Sequence, residues 1–189
     1  GFRAVDCGAV PTPALALAAM HQGCPAVMIT GSHIPDDRNG LKFYVRSGEI
    51  TKEDEAAITA ALGTAPRTDT APETLADPDC GARFVARYLQ ACGAGALGGR
   101  RIGLYSHSAV GRDLMAEILT GLGAEVVELG RSDIIIPVDT EAVDPNVRAQ
   151  IADWVAEHRL DALVSTDGDS DRPLLADETG AIVPGDIMG

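Results

Sequence analysis

The sequence predicts an α/β protein with mixed, mainly parallel sheets sandwiched by helices. Three observations carry that expectation. Apolar residues make up 46% of the chain but aromatics only 4%, with abundant Ala and Gly, which suits strands packed under helices better than an aromatic-rich β-sandwich. Short apolar runs alternate with segments of helical period, and such βαβ alternation implies a parallel sheet covered by helices. Two motif-bearing loops each follow an apolar run, and in parallel sheets ligands bind beyond the carboxyl ends of the strands.

Taken in order, residues 3–6 close a first strand. A helix is expected over 13–22, with Thr12 as N-cap, Pro13 in the first turn and Gly23 ending it. Residues 26–30 (AVMIT) read as a short buried strand and 41–46 as its return strand. A helix over 51–62 opens on a capping box between Thr51 and Asp54. Residues 64–79 carry Pro66, Pro72 and Pro78 among small polar residues and read as a linker. It divides a first unit, 1–63, from a second, 80–189.

The second unit begins with an amphipathic helix over 80–92, on which Phe84, Val85, Tyr88 and Leu89 recur at helical spacing. A strand over 101–105 follows, then a helix over 109–122 capped by Ser108, then a strand over 124–129. A helix over 145–158 has Asp144 as N-cap and buries Val147, Ile151, Trp154 and Val155. The strand over 161–165 leads into an acidic loop. The GxGxxG at 93–98 precedes a strand instead of following one, so it reads as a flexible turn and not a dinucleotide fingerprint. His21 and His158 fall near helix C-termini, where a cation is mildly favoured.

A formal net charge of −13 argues against nucleic acid and anionic membrane as partners. No apolar stretch approaches the roughly 18 residues that span a bilayer, and no basic-then-apolar signal segment opens the chain. Cys7, Cys24, Cys80 and Cys92 form no CxxC pair and no zinc-like spacing, which favours free thiols and a cytoplasmic protein. The chain lacks an initiator Met and stops just after a Gly-Asp turn, so both ends are expected to be cuts.

The richest chemistry lies in DGDSDR at 167–172. Asp167, Asp169 and Asp171 stand at alternate positions after an apolar strand, and a tight turn converges them. Carboxylates that close repel one another unless a hard cation joins them, and three hard oxygens suit Mg²⁺. An EF-hand does not fit, because Arg172 and Pro173 stand where its turn needs Gly. Such a metal site also needs an external oxygen, and a phosphate would complete it. Upstream, TGSHIP at 30–35 sets Ser32 on a loop after a strand, with NGLK at 39–42 returning Lys42 toward it. No GxSxG elbow is present, which disfavours a serine hydrolase.

Together, TGSHIP, NGLK and DGDSDR resemble the motifs of the α-D-phosphohexomutases, the phosphomannomutases and phosphoglucomutases, with VPTP at 10–13 similar to the stretch before their catalytic loop. The wording of YSHSAVGRD at 105–113 and of DGDSDRPLLAD at 167–177 is most similar to bacterial phosphomannomutases. The resemblance implies that Ser32 is a phosphoserine and that Mg²⁺ is held by Asp167, Asp169, Asp171 and an oxygen on Ser32. It implies that Lys42 and the metal offset developing charge, that His33 assists proton transfer, and that Arg172 and Thr30 contact substrate. The implied reaction interconverts hexose 6-phosphate and hexose 1-phosphate, of mannose or glucose, through a bisphosphorylated sugar. Ile34 departs from the family, which has Asn there. The family has four domains, and this chain resembles the later part of the first and most of the second, reaching toward the start of the third. The implied sugar-recognition loop and phosphate clamp are missing, so this piece alone is expected to be inactive. The rival expectations are a non-catalytic piece that binds metal or sugar phosphate, and a metal-dependent phosphatase.

Overall fold

The computed structural model describes residues 3–32, 38–64 and 73–188. Its second unit follows the expected alternation. Strands β6 (Arg101–Tyr105), β7 (Glu125–Leu129) and β8 (Ala162–Thr166) run parallel, and β9 (Pro173–Ala176) returns antiparallel along β8, giving the order β7-β6-β8-β9. Both faces of this sheet are covered, as alternate residues show. Leu163 and Leu129 face a core built with Ile151 and Val155 of helix α5 (Pro145–His158). Ala162, Val164 and Val126 face the opposite way, toward Leu119 of helix α4 (Arg112–Gly121). Helix α3 (Cys80–Cys92) then packs on α4 through Val85, Ile118 and Leu122. Asp144 caps α5 as expected, its carboxylate accepting from the Asn146 amide at 2.8 Å.

The first unit is thinner. Strand β1 (Ala4–Asp6) is followed by helix α1 (Thr12–Gln22), then by an antiparallel meander of β2 (Ala26–Thr30), β3 (Gly40–Val45) and β4 (Gly48–Glu49). Helix α1 ends on Gly23 in the left-handed region, φ 61°, and buries Ala14 and Ala18 with Val10 and Cys80. Helix α2 (Lys52–Ala60) has the expected Thr51–Asp54 capping box but buries no residue. Parallel character therefore lies in β6, β7 and β8 and in one further pair described next; the meander and β9 are antiparallel.

Several expectations need correcting. Residues 74–76, inside the stretch read as linker, form strand β5 (Thr74–Ala76) and pair in parallel with β1. Proline punctuation hid a strand too short to show a period. Pro66 and Pro72 lie outside the described residues. Strand β2 is not buried, since Val27 and Ile29 are 48% and 68% exposed on one face. Their neighbour Leu41, opposite Ile29 on β3, is exposed too. Ser108 does not cap α4, which starts at Arg112 after Gly111 without a side-chain cap. The Ser108 hydroxyl instead accepts from the Ile136 amide at 2.8 Å and so ties down the loop after β7. Among the described residues, no helix is long and apolar enough to cross a membrane.

Because Leu163 is fully buried between the layers, Leu163→Ala should lower the unfolding free energy by about 2–5 kcal/mol. Val27→Ala, at a half-exposed position, should lower it by less than about 1 kcal/mol. Urea denaturation of the two variants checks the contrast.

Candidate active site

Strand β8 delivers Asp167 to the carboxyl end of the parallel sheet, and residues 167–172 curl back before β9. The curl is closed by the Asp167 amide donating to the Arg172 carbonyl at 3.1 Å and the Ser170 amide donating to the Asp167 carbonyl at 3.2 Å. Asp167 Oδ1 accepts the amides of Asp171 and Arg172, both at 3.2 Å. One carboxylate oxygen thus shapes its own loop and leaves Oδ2 to work outside it. One oxygen from each of Asp167, Asp169 and Asp171 falls within 4.8 Å of the others. The convergence expected from the alternate spacing is present.

Three outside segments hold this loop. The Val110 amide donates to the Gly168 carbonyl at 2.9 Å and the Gly111 amide to Ser170 Oγ at 3.0 Å. The turn before α4 therefore spends its free N–H groups on the acidic loop. Thr12, expected to cap α1, gives its hydroxyl to Asp169 Oδ2 at 2.6 Å and its amide to the Asp169 carbonyl at 2.9 Å. His107, fully buried beside Tyr105, lies 2.8 Å through Nε2 from the Thr166 carbonyl. A carbonyl only accepts, so Nε2 carries the proton. Burial pushes the imidazole below its ordinary pKa, which keeps it neutral. Sequence reading missed both Thr12 and His107 as parts of the site. The only signal was position: each sits where a strand or loop meets a helix at the sheet's carboxyl end.

Ser32 approaches from the first unit. It has φ 49°, a left-handed conformation uncommon outside Gly and Asn, and its amide donates to Thr30 Oγ1 at 2.8 Å. Thr30 thus shapes the serine turn. The Ser32 hydroxyl donates to Asp167 Oδ2 at 2.6 Å and accepts from Arg172 at 2.8 Å. Arg172 also donates to Asp167 Oδ2 at 3.2 Å. The Ser32 carbonyl rests so close to Gly168 that a Cβ there would overlap it. Lys42, on β3, reaches Asp169 Oδ2 at 2.6 Å and Asp171 Oδ2 at 2.5 Å. The structure therefore brings together Ser32, Lys42, Arg172 and all three aspartates, with Thr30 supporting. His33 and Ile34 lie outside the described residues.

Charge governs this cluster. For Asp169, burial favours the neutral acid, but hydrogen bonds from Lys42, Thr12 and Ser32 outweigh it and hold the carboxyl below its ordinary pKa. For Lys42, burial works against the ammonium, yet Asp169 and Asp171 raise its pKa above the ordinary value. Both shifts keep the groups charged at neutral pH. Asp169 Oδ1 is buried without a hydrogen-bond partner. An ionised oxygen left so is costly unless a cation meets it. The donor set, three carboxylates and a hydroxyl, fits a hard divalent ion, with Lys42 supplying positive charge between two of the same carboxylates.

The described residues of this α/β protein thus gather a serine, a lysine, an arginine and a metal-capable acidic triad in one place. Two family descriptions match the chain: phosphoglucomutase/phosphomannomutase α/β/α domain I over residues 1–68 and domain II of the same family over residues 82–180. The chain belongs to the phosphoglucomutase/phosphomannomutase family. It is 47% identical over its whole length to a phosphomannomutase of Sinorhizobium fredii and to one of Salmonella muenchen, covering 41% and 39% of those proteins. It is 29% identical to a phosphoglucosamine mutase of a Nitratiruptor species, covering 44% of it. The chain thus spans about two fifths of the length of the curated relatives it matches. A phosphoglucomutase/phosphomannomutase family protein of Burkholderia thailandensis shares the fold at a TM-score of 0.76 and 21% identity, with 97% of this chain and 42% of that one covered.

Gly168→Ala should force the Ser32 turn away from the acidic loop and cost about 1–3 kcal/mol of stability, with faster amide exchange around Ser32. Lys42→Met should weaken the metal-free fold by about 1 kcal/mol, because the ion pair is partly exposed. The same change should tighten the binding of a divalent cation roughly fivefold, since a competing ammonium is gone; calorimetric titration measures this.

Proposed function

We propose that this chain carries the phosphoserine and metal-binding part of a phosphohexomutase that interconverts hexose 6-phosphate and hexose 1-phosphate. The observation that supports it most is the pair of short contacts joining the Ser32 hydroxyl to Asp167 and Arg172, across 135 and 140 residues of sequence. Ser32 is the phosphoryl carrier. When a sugar hydroxyl attacks the phosphorus on Ser32, the P–Oγ bond breaks, and Arg172, already donating to Oγ, stabilises the departing serine oxygen. In the return step Oγ attacks the second phosphate of the bisphosphorylated sugar, the bond from that phosphorus to the sugar oxygen breaks, and the Ser32 hydroxyl proton passes to the departing sugar oxygen while Asp167 orients the Ser32 hydroxyl.

Asp167, Asp169 and Asp171 would hold Mg²⁺, together with Ser32 or its phosphate. When bound, the ion neutralises charge on the transferring phosphoryl group. Lys42 adds a point charge to the same end. Thr30 shapes the serine turn and, with Arg172, borders the substrate's phosphate; His33 is assigned to proton transfer at the sugar hydroxyl. Mannose phosphates are the preferred substrates in this reading, because the phosphomannomutases share 47% identity with the chain and the phosphoglucosamine mutases about 30%. We keep a domain I piece, 1–63, a linker, 64–79, and a domain II piece, 80–189, a reading supported by separate family matches over 1–68 and 82–180, with β5 inside the linker pairing with β1 of the first piece. Four free cysteines suit a cytosolic setting.

The test supplies labelled hexose bisphosphate with Mg²⁺ and follows where phosphate goes. Label should map to Ser32 and chase into hexose monophosphate. Ser32→Ala should abolish labelling and lower any mutase rate by at least about a thousandfold, and a chelator should suppress both. Release of inorganic phosphate without isomerised sugar would favour a phosphatase, and absence of label from Ser32 would sink the phosphoserine assignment.

A further inference from the structure

An open cavity of about 530 Å³ has Arg172 in its wall. The Arg172 guanidinium donates from Nη2 to Ser32 Oγ at 2.8 Å, and its Nη1 stands 3.7 Å from an oxygen of Glu141, which lines the same cavity. That second separation is longer than a hydrogen bond. A molecule resting against Arg172 there is parted from the serine hydroxyl by the width of one guanidinium. Arg148 and Asp186 add a second cation and a second carboxylate to the lining, and Ile182 and Pro184 add an apolar stretch. The fold fixes the backbone of this frame. Glu141 stands between Val138 and Val143, both in the core, and Asp139 Oδ1 accepts the amides of Glu141 and Ala142 at 2.9 and 3.1 Å. Ile182 bridges to Ala176 of β9, and the Val183 amide donates to the Leu175 carbonyl at 2.8 Å. Arg148, on α5, donates from Nε to the Val143 carbonyl at 3.0 Å, and its Nη groups meet no hydrogen-bond partner among the described residues.

We propose that this cavity seats the sugar ring of the hexose phosphate, with Glu141 accepting from ring hydroxyls and Arg148 donating to them. The ligand's identity rests on the phosphohexomutase reading; the location of its sugar and the two residues that hold it go beyond that reading. Charge balance carries the argument. The lining holds two arginines against one glutamate and one aspartate, so it is neutral as a whole. A phosphate lodged there would meet two carboxylates of its own sign. An apolar ligand would strip water from four charged groups without replacing it. A sugar ring fits both conditions, because it is uncharged and each of its hydroxyls can donate to a carboxylate and accept from a guanidinium. Its C–H faces match Ile182 and Pro184. The volume lies within the range of small-molecule sites.

Arg172 is then the boundary between two halves of one ligand. Its Nη2 side faces Ser32, where phosphate is exchanged, and its Nη1 side faces the cavity, where the ring rests. An uncharged ring leaves the Glu141–Arg172 pair electrically intact, so seating the sugar does not pull Arg172 away from Ser32.

The experiment titrates the whole chain with mannose 1-phosphate and, separately, with inorganic phosphate, and follows backbone amide and arginine side-chain signals by NMR. Mannose 1-phosphate should move the signals of Glu141, Arg148 and Val183 together with that of Ser32, whereas inorganic phosphate should move those of Ser32 and Arg172 alone. Glu141→Ala and Arg148→Met should each weaken mannose 1-phosphate roughly tenfold and leave inorganic phosphate bound as before. Both side chains are exposed, so both variants should keep the fold, which their amide spectra report. Equal weakening of the two ligands would make the cavity an anion site and overturn the proposal. So would mannose 1-phosphate that fails to bind, or that binds without moving Glu141 and Arg148. Sugar-specific losses in the two variants, found in a chain whose Ser32 takes no label, would uphold the sugar site while the phosphoserine reading fell.

Discussion

Carboxylate oxygens from Asp167, Asp169 and Asp171 within 4.8 Å of one another cannot share that space without positive charge. Much of the arrangement around them answers that demand. Lys42 crosses from the meander of the first unit to two of the carboxylates, and Arg172 folds back from the loop itself. Two cations against three anions leave the cluster one charge short, and the deficit falls beside the unpartnered Asp169 Oδ1. The two units are therefore joined as much by electrostatics as by the apolar contact of α1 on α3. A residue that serves the acidic cluster also serves the joint.

Neutral groups give the site its rigidity. His107 fixes the end of β8, Thr12 and the amides of Val110 and Gly111 bind the acidic loop, and none adds charge at neutral pH. Dipoles fixed by the fold do not reorganise when charge moves beside them. Gly168 completes the arrangement by its lack of a side chain, since only a hydrogen leaves room for the Ser32 carbonyl.

Much of this was legible from the sequence. Periodicity placed α3 over 80–92 and α5 over 145–158 because each has one long apolar stripe and a clear start or stop. The alternate aspartates gave the converging triad, because a loop after a parallel strand leaves them little else to do. What stayed hidden were choices between a local and a distant partner. Thr12 and Ser108 both stand where a helix cap is expected, and each instead binds a segment remote in sequence. Nothing local distinguishes a hydroxyl that caps its own helix from one that grips a loop 157 residues away. Strand β5 escaped because three residues carry no period, and β2 read as buried because composition does not say whether a sheet face is covered.

That uncovered face has a colloidal consequence. Val27, Ile29 and Leu41 form an adhesive patch on a sheet whose β2 edge pairs with no strand among the described residues. What keeps two such molecules apart is the long-range repulsion of a formal charge of −13 on each. Added salt shortens that repulsion to about 8 Å at physiological strength, while apolar attraction is untouched. Ionic strength is thus a lever on how closely two such faces can approach.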